Sequence, residues 1–453
     1  MKHILTILIF LLTTTLFAQQ KTTQQLETID QFLTDEYPKN EPGAVVLISK
    51  GDKILFQKAY GLASLAPKRK LKTDMVFRIA SMTKQFTSAA VLQLVEQGKV
   101  SLIDTIQQYV PYYPVKQYPI TIHHLLSQTS GIPDYFDVDE DEYHLLAKEY
   151  TPKDMIAYFK DEPLLFEPGS KWAYSNSNYS LLNAVIEKAS GMKKRIYMEQ
   201  FIFGPLEMTS SAIGDPGNVK KRRLVTGYAE DVPGVFKEGP AMSKSVGGVR
   251  STVYDLFLWH RALHDKTVIS EYVVSQLTTE KQINSGEGTG YGYGFFLKEL
   301  QGSPTIQHGG NLFGFTTNGL YLPEEDLFVC VLSNTKFDRT PEIADYIGSV
   351  MMDTPILIKK KSEIKRDVYK EYIGVYHLND DPKKRFGIEL FDTMLVMVPL
   401  DARENAGVLR PISDDYFDCK EAKATVTFTR NEAEEIIGYT VEQDGTYHFV
   451  KVE

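Results

Sequence analysis

Four serines in the chain stand three residues ahead of a lysine: Ser81 with Lys84, Ser190 with Lys193, Ser333 with Lys336, and Ser362 with Lys365. At that spacing on a helix the two side chains share a face one turn apart, so the amine is placed to take and return a nucleophilic hydroxyl's proton. Context separates the four. Only Ser81 opens a long apolar-periodic segment, Ser81 to Gln97, with Phe86, Ala90 and Leu94 on one face and Gly98 as a stop. A serine at a helix N-terminus also has its own backbone N–H among the unpaired donors there. Ser190 precedes Gly191 at a helix end, Ser333 ends an apolar strand, and Ser362 lies in a charged stretch. The plain competing account of Ser81 is an N-cap, whose hydroxyl is used up on the helix backbone.

A serine nucleophile needs a proton acceptor in reach and donors aimed at the developing oxyanion. Tyr174-Ser175-Asn176 supplies a candidate acceptor in a polar loop ahead of a helix; of 26 tyrosines, Tyr174 is the only one with Asn two residues on. His308-Gly309-Gly310-Asn311 is the third piece, expected at the end of a strand where two glycines let a substrate backbone come close. Its plain alternative is a strand-edge turn.

These pieces must be held by regular elements. Ala44 to Ala59 reads as a hairpin around Gly51-Asp52. Residues 100–265 read mostly as helix and loop, with caps at Thr121, Thr151-Pro152 and Ser251 and an amphipathic run from Asn178 to Ala189. Strands are expected at Tyr291 to Leu297, Thr305 to Gln307, Gly314 to Leu322 and Leu327 to Leu332, then a helix near Pro341 to Met352. The economical arrangement is α/β, a sheet built from both chain ends with a helical region between them. A charged link, Lys359 to Arg366, leads into short strands at Tyr372 to His377, Phe386 to Phe391, Met394 to Val398, Thr425 to Thr429, Ile436 to Val441 and Thr446 to Val452. With Asp444-Gly445 as a hairpin turn, these predict a separate β-barrel or β-sandwich over 366–453.

In this order the three pieces resemble the serine β-lactamase and penicillin-binding-protein superfamily. The branch is the one with class C β-lactamases, D-alanyl-D-alanine carboxypeptidases, D-aminopeptidases and related esterases. The likeness covers about residues 24–355. It includes Phe77-Arg78-Ile79-Ala80, His124-Leu125-Leu126-Ser127-Gln128-Thr129-Ser130-Gly131-Ile132, Phe166-Glu167-Pro168-Gly169, Gly247-Gly248-Val249-Arg250-Ser251-Thr252 and Gly290-Tyr291-Gly292-Tyr293-Gly294. The β-rich tail resembles a lipocalin-like domain appended to some members.

The resemblance implies a β-lactamase-like α/β fold, an antiparallel sheet flanked by helices plus a helical region, followed by the all-β domain. It implies Ser81 as the acylated nucleophile, Lys84 and Tyr174 as the proton-handling pair, and Asn176 as a substrate amide contact. The backbone N–H groups of Ser81 and Asn311 would form the oxyanion hole beside Gly310, and His308 would stand where lactamases carry the lysine of Lys-Thr-Gly. Which of Lys84 and Tyr174 is the base stays open. A phenolate at pH 7 needs about 3 pKa units, roughly 4 kcal/mol, of local positive potential, part of which Lys84 would supply; a neutral Lys84 would instead be the base itself. Lys-Thr-Gly is absent from the chain, so an imidazole, mostly neutral at pH 7, replaces a fixed cation. Cleavage of a peptide or ester is therefore expected over strong β-lactam hydrolysis. A class C-like β-lactamase, and a penicillin-binding sensor or scaffold with slow deacylation, are the alternatives. No cofactor is needed for this acyl transfer.

The formal charge of -9 over 453 residues speaks against a broad electrostatic grip on nucleic acid. The expected partner is a small-molecule or peptide substrate, peptidoglycan-derived peptides included. Lys2 and His3, the apolar run Ile4 to Leu12 and the small residue Ala18 before Gln19 have the layout of a secretory leader cut after Ala18. That predicts a periplasmic or secreted protein with no stable membrane span after cleavage, because the run is shorter than the ~20 residues a span needs. Asp137 to Glu142 begins like a calcium loop but lacks its glycine, and Lys148 stands where its bidentate Glu belongs. His260 and His264 share a helix face without a third ligand nearby, and Cys330 and Cys419 are expected to remain separate thiols.

Overall fold

The run Ala44-Val45-Val46-Leu47-Ile48 offers no polar side chain to either face, which suits a strand covered on both sides, and all five residues are at most 1% exposed. They lie in β1 (Ala44–Lys50), which is hairpinned to β2 (Lys53–Ala59). A computed structural model of the chain describes residues 20–138, 151–214, 220–232, 235–238, 248–266, 268–312, 314–336, 338–358, 369–391, 394–400, 407–413, 415–419, 422, 424–443 and 445–452. The leader, residues 139–142 and Lys148 of the acidic loop, Gly247, the charged link and Asp444 lie outside the described residues. The described residues fall into two compact units, one within 1–228 and 238–358, the other within 229–237 and 359–453.

In the first unit a helix at 20–36 (α1) precedes the hairpin. After it come α2 (Thr83–Glu96), α3 (Asn176–Ser190) and α4 (Val253–Asp265). Four strands follow, β3 (Phe296–Leu300), β4 (Ser303–Leu312), β5 (Phe315–Leu322) and β6 (Leu327–Ser333), then α5 (Thr340–Met351). They build one antiparallel sheet in the order β3-β4-β5-β6-β1-β2. Ala44 pairs with Ser333, so the two chain ends meet at the sheet centre as expected. Alternation along β1 divides the core. Ala44, Val46 and Ile48 join Ile29, Phe32 and Leu33 of α1 and Ile343 and Ile347 of α5. Val45 and Leu47 join the face carrying α2, α3 and α4.

Three local expectations are corrected. Ser251 ends a short strand, Val249–Ser251, that pairs with Phe77 and Arg78, so the cap of α4 falls to Thr252, whose Oγ1 accepts from Asp255 N at 3.1 Å. The strand expected from Tyr291 starts only at Phe296, because Gly290 and Gly294 take φ values of 64° and 86° that break extension. His308-Gly309-Gly310 is not at a strand end. It lies inside β4, paired with Gly319, Asn318 and Thr317. Cross-strand pairing with β5 overrides the weak strand propensity of two glycines.

The second unit contains β7 (Gly374–Leu378), β8 (Asp381–Phe391), β9 (Met394–Pro399), β10 (Gly407–Ser413), β11 (Tyr416–Cys419), β12 (Ala424–Arg430), β13 (Ile436–Glu442) and β14 (Thr446–Lys451). β7 pairs with both β8 and β14, so the sheet closes as a barrel and not as a sandwich. β10 and β11 escape a reading by pattern because Pro411 sits in one and the register shifts beside it. Rings fill the interior: Tyr439 stacks on Phe449 at 4.6 Å, and Phe428 lies 4.6 Å from Tyr372 and 5.5 Å from Phe417. Cys330 and Cys419 are both buried, and no disulfide joins them. No described helix is long and apolar enough to cross a membrane.

Candidate active site

Ser81 sits in a single 3-10 turn, Ala80–Met82, that runs into α2. Ala80 has a φ of 48°, a left-handed conformation that a residue with a Cβ holds only when its surroundings impose it. Those surroundings are specific. Ile79 donates its N–H to Val249 O at 3.1 Å, and its carbonyl accepts from Thr317 Oγ1 at 3.1 Å. Gly310 presses on the same turn: a Cβ there would lie 2.4 Å from Ile79 O and 2.6 Å from Thr317 Oγ1. Part of the glycine requirement in His-Gly-Gly is thus set by the nucleophile turn itself.

The residue before α2 is Met82, and it makes no side-chain cap, so the hydroxyl of Ser81 is not used as an N-cap. Ser81 Oγ instead lies 3.2 Å from Lys84 Nζ. The other described Ser-x-x-Lys pairs are not built this way. Ser190 Oγ donates to Ile186 O while Lys193 reaches Glu187 from an exposed position, and Ser333 is fully buried in β6.

Lys84 is only 6% exposed. It donates to Asn176 Oδ1 at 2.7 Å and lies 4.7 Å from the Tyr174 ring centre and 5.3 Å from that of Tyr179. Burial pushes the amine down to about 7, against the opposing pull of the Asp134 carboxylate. Burial moves Tyr174 the other way: its phenol is pushed up, with the hydrogen bond to Ser81 opposing and the Asp134 charge adding.

Asn176 is fixed from behind. Its backbone N and its Nδ2 both donate to Asp134 Oδ2, at 2.9 and 2.7 Å, which turns Oδ1 toward Lys84. Gln128, at a φ of 62°, accepts on Oε1 from Ser175 N and Asn178 Nδ2 and so anchors the Tyr-Ser-Asn loop to the start of α3. Spacing in the sequence assigns no role to Asp134 or Gln128, and the one signal it carries is that Asp134 is the only charged residue between Ser127 and Tyr135.

His308 is 2% exposed, and its Nδ1 donates to Gly309 O at 2.5 Å, leaving Nε2 bare and 3.5 Å from the Tyr291 hydroxyl. Burial, then the charge of Lys84, push the imidazole down to about 3, so it is neutral at pH 7. Its ring lies 5.2 Å from Phe296 and 6.3 Å from Tyr174, which is itself stacked 12° from parallel with Phe296. Asn311 follows Gly310 with its side chain exposed. β3 pairs with β4 only as far as Gln307, so the segment 308–312 is paired on the β5 side and leaves its other edge to a ligand. Ser81, Lys84, Tyr174, Asn176, His308 and Gly310 are therefore linked contact by contact, with Asn311 on the adjoining strand segment.

A buried amine with a pKa near neutrality, beside a serine that caps nothing, has the chemistry to pass a proton. The chain belongs to the Beta-lactamase family, whose model matches residues 28–350, a family of serine hydrolases with this fold. It is 28% identical over 449 residues to penicillin-binding protein 4* of Bacillus subtilis (strain 168), covering 91% of this chain and 95% of that protein. Among solved structures, an octameric penicillin-binding protein homologue from Pyrococcus abyssi has a TM-score of 0.68 at 22% identity, over 94% of this chain and 99% of that one. A D-amino acid amidase from Ochrobactrum anthropi SV3, complexed with L-phenylalanine amide, has a TM-score of 0.62 at 21% identity, over 73% and 99%. Both structures share the fold.

Proposed function

We propose that this is an exported serine hydrolase that cleaves an amide or ester bond of an uncharged, partly apolar substrate through an acyl-enzyme on Ser81. The observation that carries the reading is Lys84 Nζ at 3.2 Å from Ser81 Oγ with an amine pKa of about 7. A neutral amine keeps one lone pair. With an N–H committed to Asn176 Oδ1, that lone pair takes the Ser81 proton as Oγ attacks the substrate carbonyl carbon. The tetrahedral oxyanion is met by the N–H groups of Ser81 and Asn311. Collapse breaks the scissile C–N or C–O bond, and the leaving group receives a proton from Lys84, directly or relayed by Tyr174. Water, deprotonated by the same amine, then releases the acid. Burial keeps Tyr174 a phenol, so it relays a proton and does not serve as a phenolate base.

The substrate class follows from His308. A neutral imidazole supplies no counter-charge to a substrate carboxylate, whereas the part-exposed rings of Phe296 and Tyr174 offer an apolar wall. Amino-acid amides and acyl esters, which bring no carboxylate to that end of the site, fit this better than β-lactams or peptides that end in a free carboxylate. The amidase among the structural neighbours supports the reading, and the N-terminal leader supports export.

The test uses the mature chain, a fluorophosphonate probe, and a panel of D-amino-acid amides, D-Ala-D-Ala peptides, acyl esters and nitrocefin. Wild type is expected to label and to turn over amides or esters faster than nitrocefin, and Ser81→Ala to do neither. Unchanged labelling of Ser81→Ala sinks the assignment. Nitrocefin as the best substrate restores the lactamase reading, and an adduct that persists for hours favours a sensor.

A further inference from the structure

The opposite flank of α2 borders a second cavity of about 410 Å³, closed on its other sides by α4, the segment Glu271–Thr278 and the sheet. That volume is in the range of small-molecule sites. Ser81, Lys84 and Tyr174 do not line it, whereas Met82 and Gln85 do. Its walls are mainly apolar, and the polar side chains among them are largely engaged elsewhere. Trp259 Nε1 donates to Gln85 Oε1 at 2.9 Å, Tyr321 donates to Asp326 at 3.2 Å, and Lys266 is paired with Glu271 at 2.7 Å. Thr278 Oγ1 donates to Val274 O at 2.9 Å.

His260 is the exception. It is 6% exposed, its ring stacks on Phe328 at 4.3 Å and 7°, and neither ring nitrogen has a hydrogen-bond partner among the described residues. A polar side chain left unpaired on a mainly apolar cavity wall marks a place for a complementary group. Burial, with the charges of Arg261 and His264, pushes the imidazole down to about 3. It therefore offers one N–H and one bare nitrogen, which a hydroxyl, itself donor and acceptor, can meet. A charged ligand would be desolvated there without a free counter-ion, since the nearby cations are already paired.

We infer that this cavity is a second binding site, taking an uncharged aromatic compound that carries one hydroxyl and places it on His260. The ring packs against Phe295, Leu263 and Val274, and the occupied cavity touches Met82, the residue that follows the nucleophile.

The test is ligand-observed fluorine NMR with 4-(trifluoromethyl)phenol and, as the probe lacking the hydroxyl, benzotrifluoride. Saturable phenol binding is expected, tighter than that of benzotrifluoride. His260→Phe, which keeps the ring and removes the nitrogens, is expected to weaken phenol by about fivefold to tenfold, the effect of one hydrogen bond, and to leave benzotrifluoride unchanged. Val274→Trp fills the space and is expected to abolish both, with Leu263→Trp as a second filling variant should the first not melt cooperatively. No saturable binding, equal phenol affinity in His260→Phe, or full binding in a folded filling variant each overturns the site. None of these readouts depends on turnover, so the inference stands or falls apart from the hydrolase reading.

Discussion

In the first unit, buried polar side chains gather where α2, the loop at 127–134 and β4 meet; in the barrel, rings fill the interior and ion pairs join Arg430 to Asp415 and Glu371. The two regions treat a cationic side chain in opposite ways. Arg430, a guanidinium charged at any working pH, is matched by carboxylate: Asp415 accepts from Nε at 2.8 Å and from an amino nitrogen at 3.0 Å while Tyr372 also donates to that carboxylate. Among the described residues Lys84 and His308 have no carboxylate in contact, and burial suppresses their charge instead. A group locked in one state cannot exchange a proton. Lys84, balanced between states near pH 7, can exchange a proton, and that is the physical mark separating the site from the barrel.

Removing the exchangeable proton should break this contrast most severely. Lys84→Met is expected to slow acylation of Ser81 by about 10²–10⁴-fold, the range for losing a positioned base, while the variant still melts cooperatively. The neutral amine is the active form, so in wild type the labelling rate should rise with pH through about 7 and fall below it. A flat rate from pH 5.5 to 8.5, estimated as a window of about 1.5 units either side of neutrality, would remove Lys84 from the role of base.

Asp134 sharpens the comparison, because it acts through Asn176. Asp134→Ala frees Asn176 and is expected to lower kcat/KM by about tenfold to a hundredfold, as small misplacements of a positioning group do. A second readout separates positioning from mere structure. The Asp134 charge opposes the burial of Lys84 and holds its pKa up, so removing it should move the ascending limb to lower pH. Loss of rate with an unmoved limb would leave Asp134 a structural residue only.

The parts of the site legible in the sequence are those whose chemistry is local. Ser81 and Lys84 are one helical turn apart, and Tyr174 and Asn176 share a loop, so spacing alone relates them. Asp134, Gln128 and the Gly310 contact with Ile79 join segments far apart in the chain, and only the assembled tertiary fold brings them together. The fold divides the same way. β1, β2 and β6 announce themselves as apolar runs, whereas β10, interrupted by Pro411, and the glycines of β4 become strands through pairing that local propensity opposes.

The smallest expected effects fall on the barrel and on acid sensitivity. Arg430→Met removes two hydrogen bonds to the half-buried Asp415, one to Glu434 O, a long one to the Tyr372 hydroxyl, and one to the half-exposed Glu371, which counts for little in water. A loss of about 1–3 kcal/mol in unfolding stability is expected from the charged hydrogen bonds, read by urea melts, with kcat/KM unchanged. Acid should then distinguish the units. His260 and His308 are held down to about 3 from an ordinary 6.5, so the unfolded chain takes up their protons first, and the stability they contribute is lost as pH falls from about 6.5 toward 3. Asp415 is opposed by its own burial yet is lowered on balance by Arg430 and Tyr372, so its contribution is present above the usual carboxylate range and is lost only below it. Hydrogen exchange during acidification should therefore show α4 and β4 losing protection at a higher pH than β12. The reverse order would mean that suppressed charge is not what sets the acid limit of the catalytic unit.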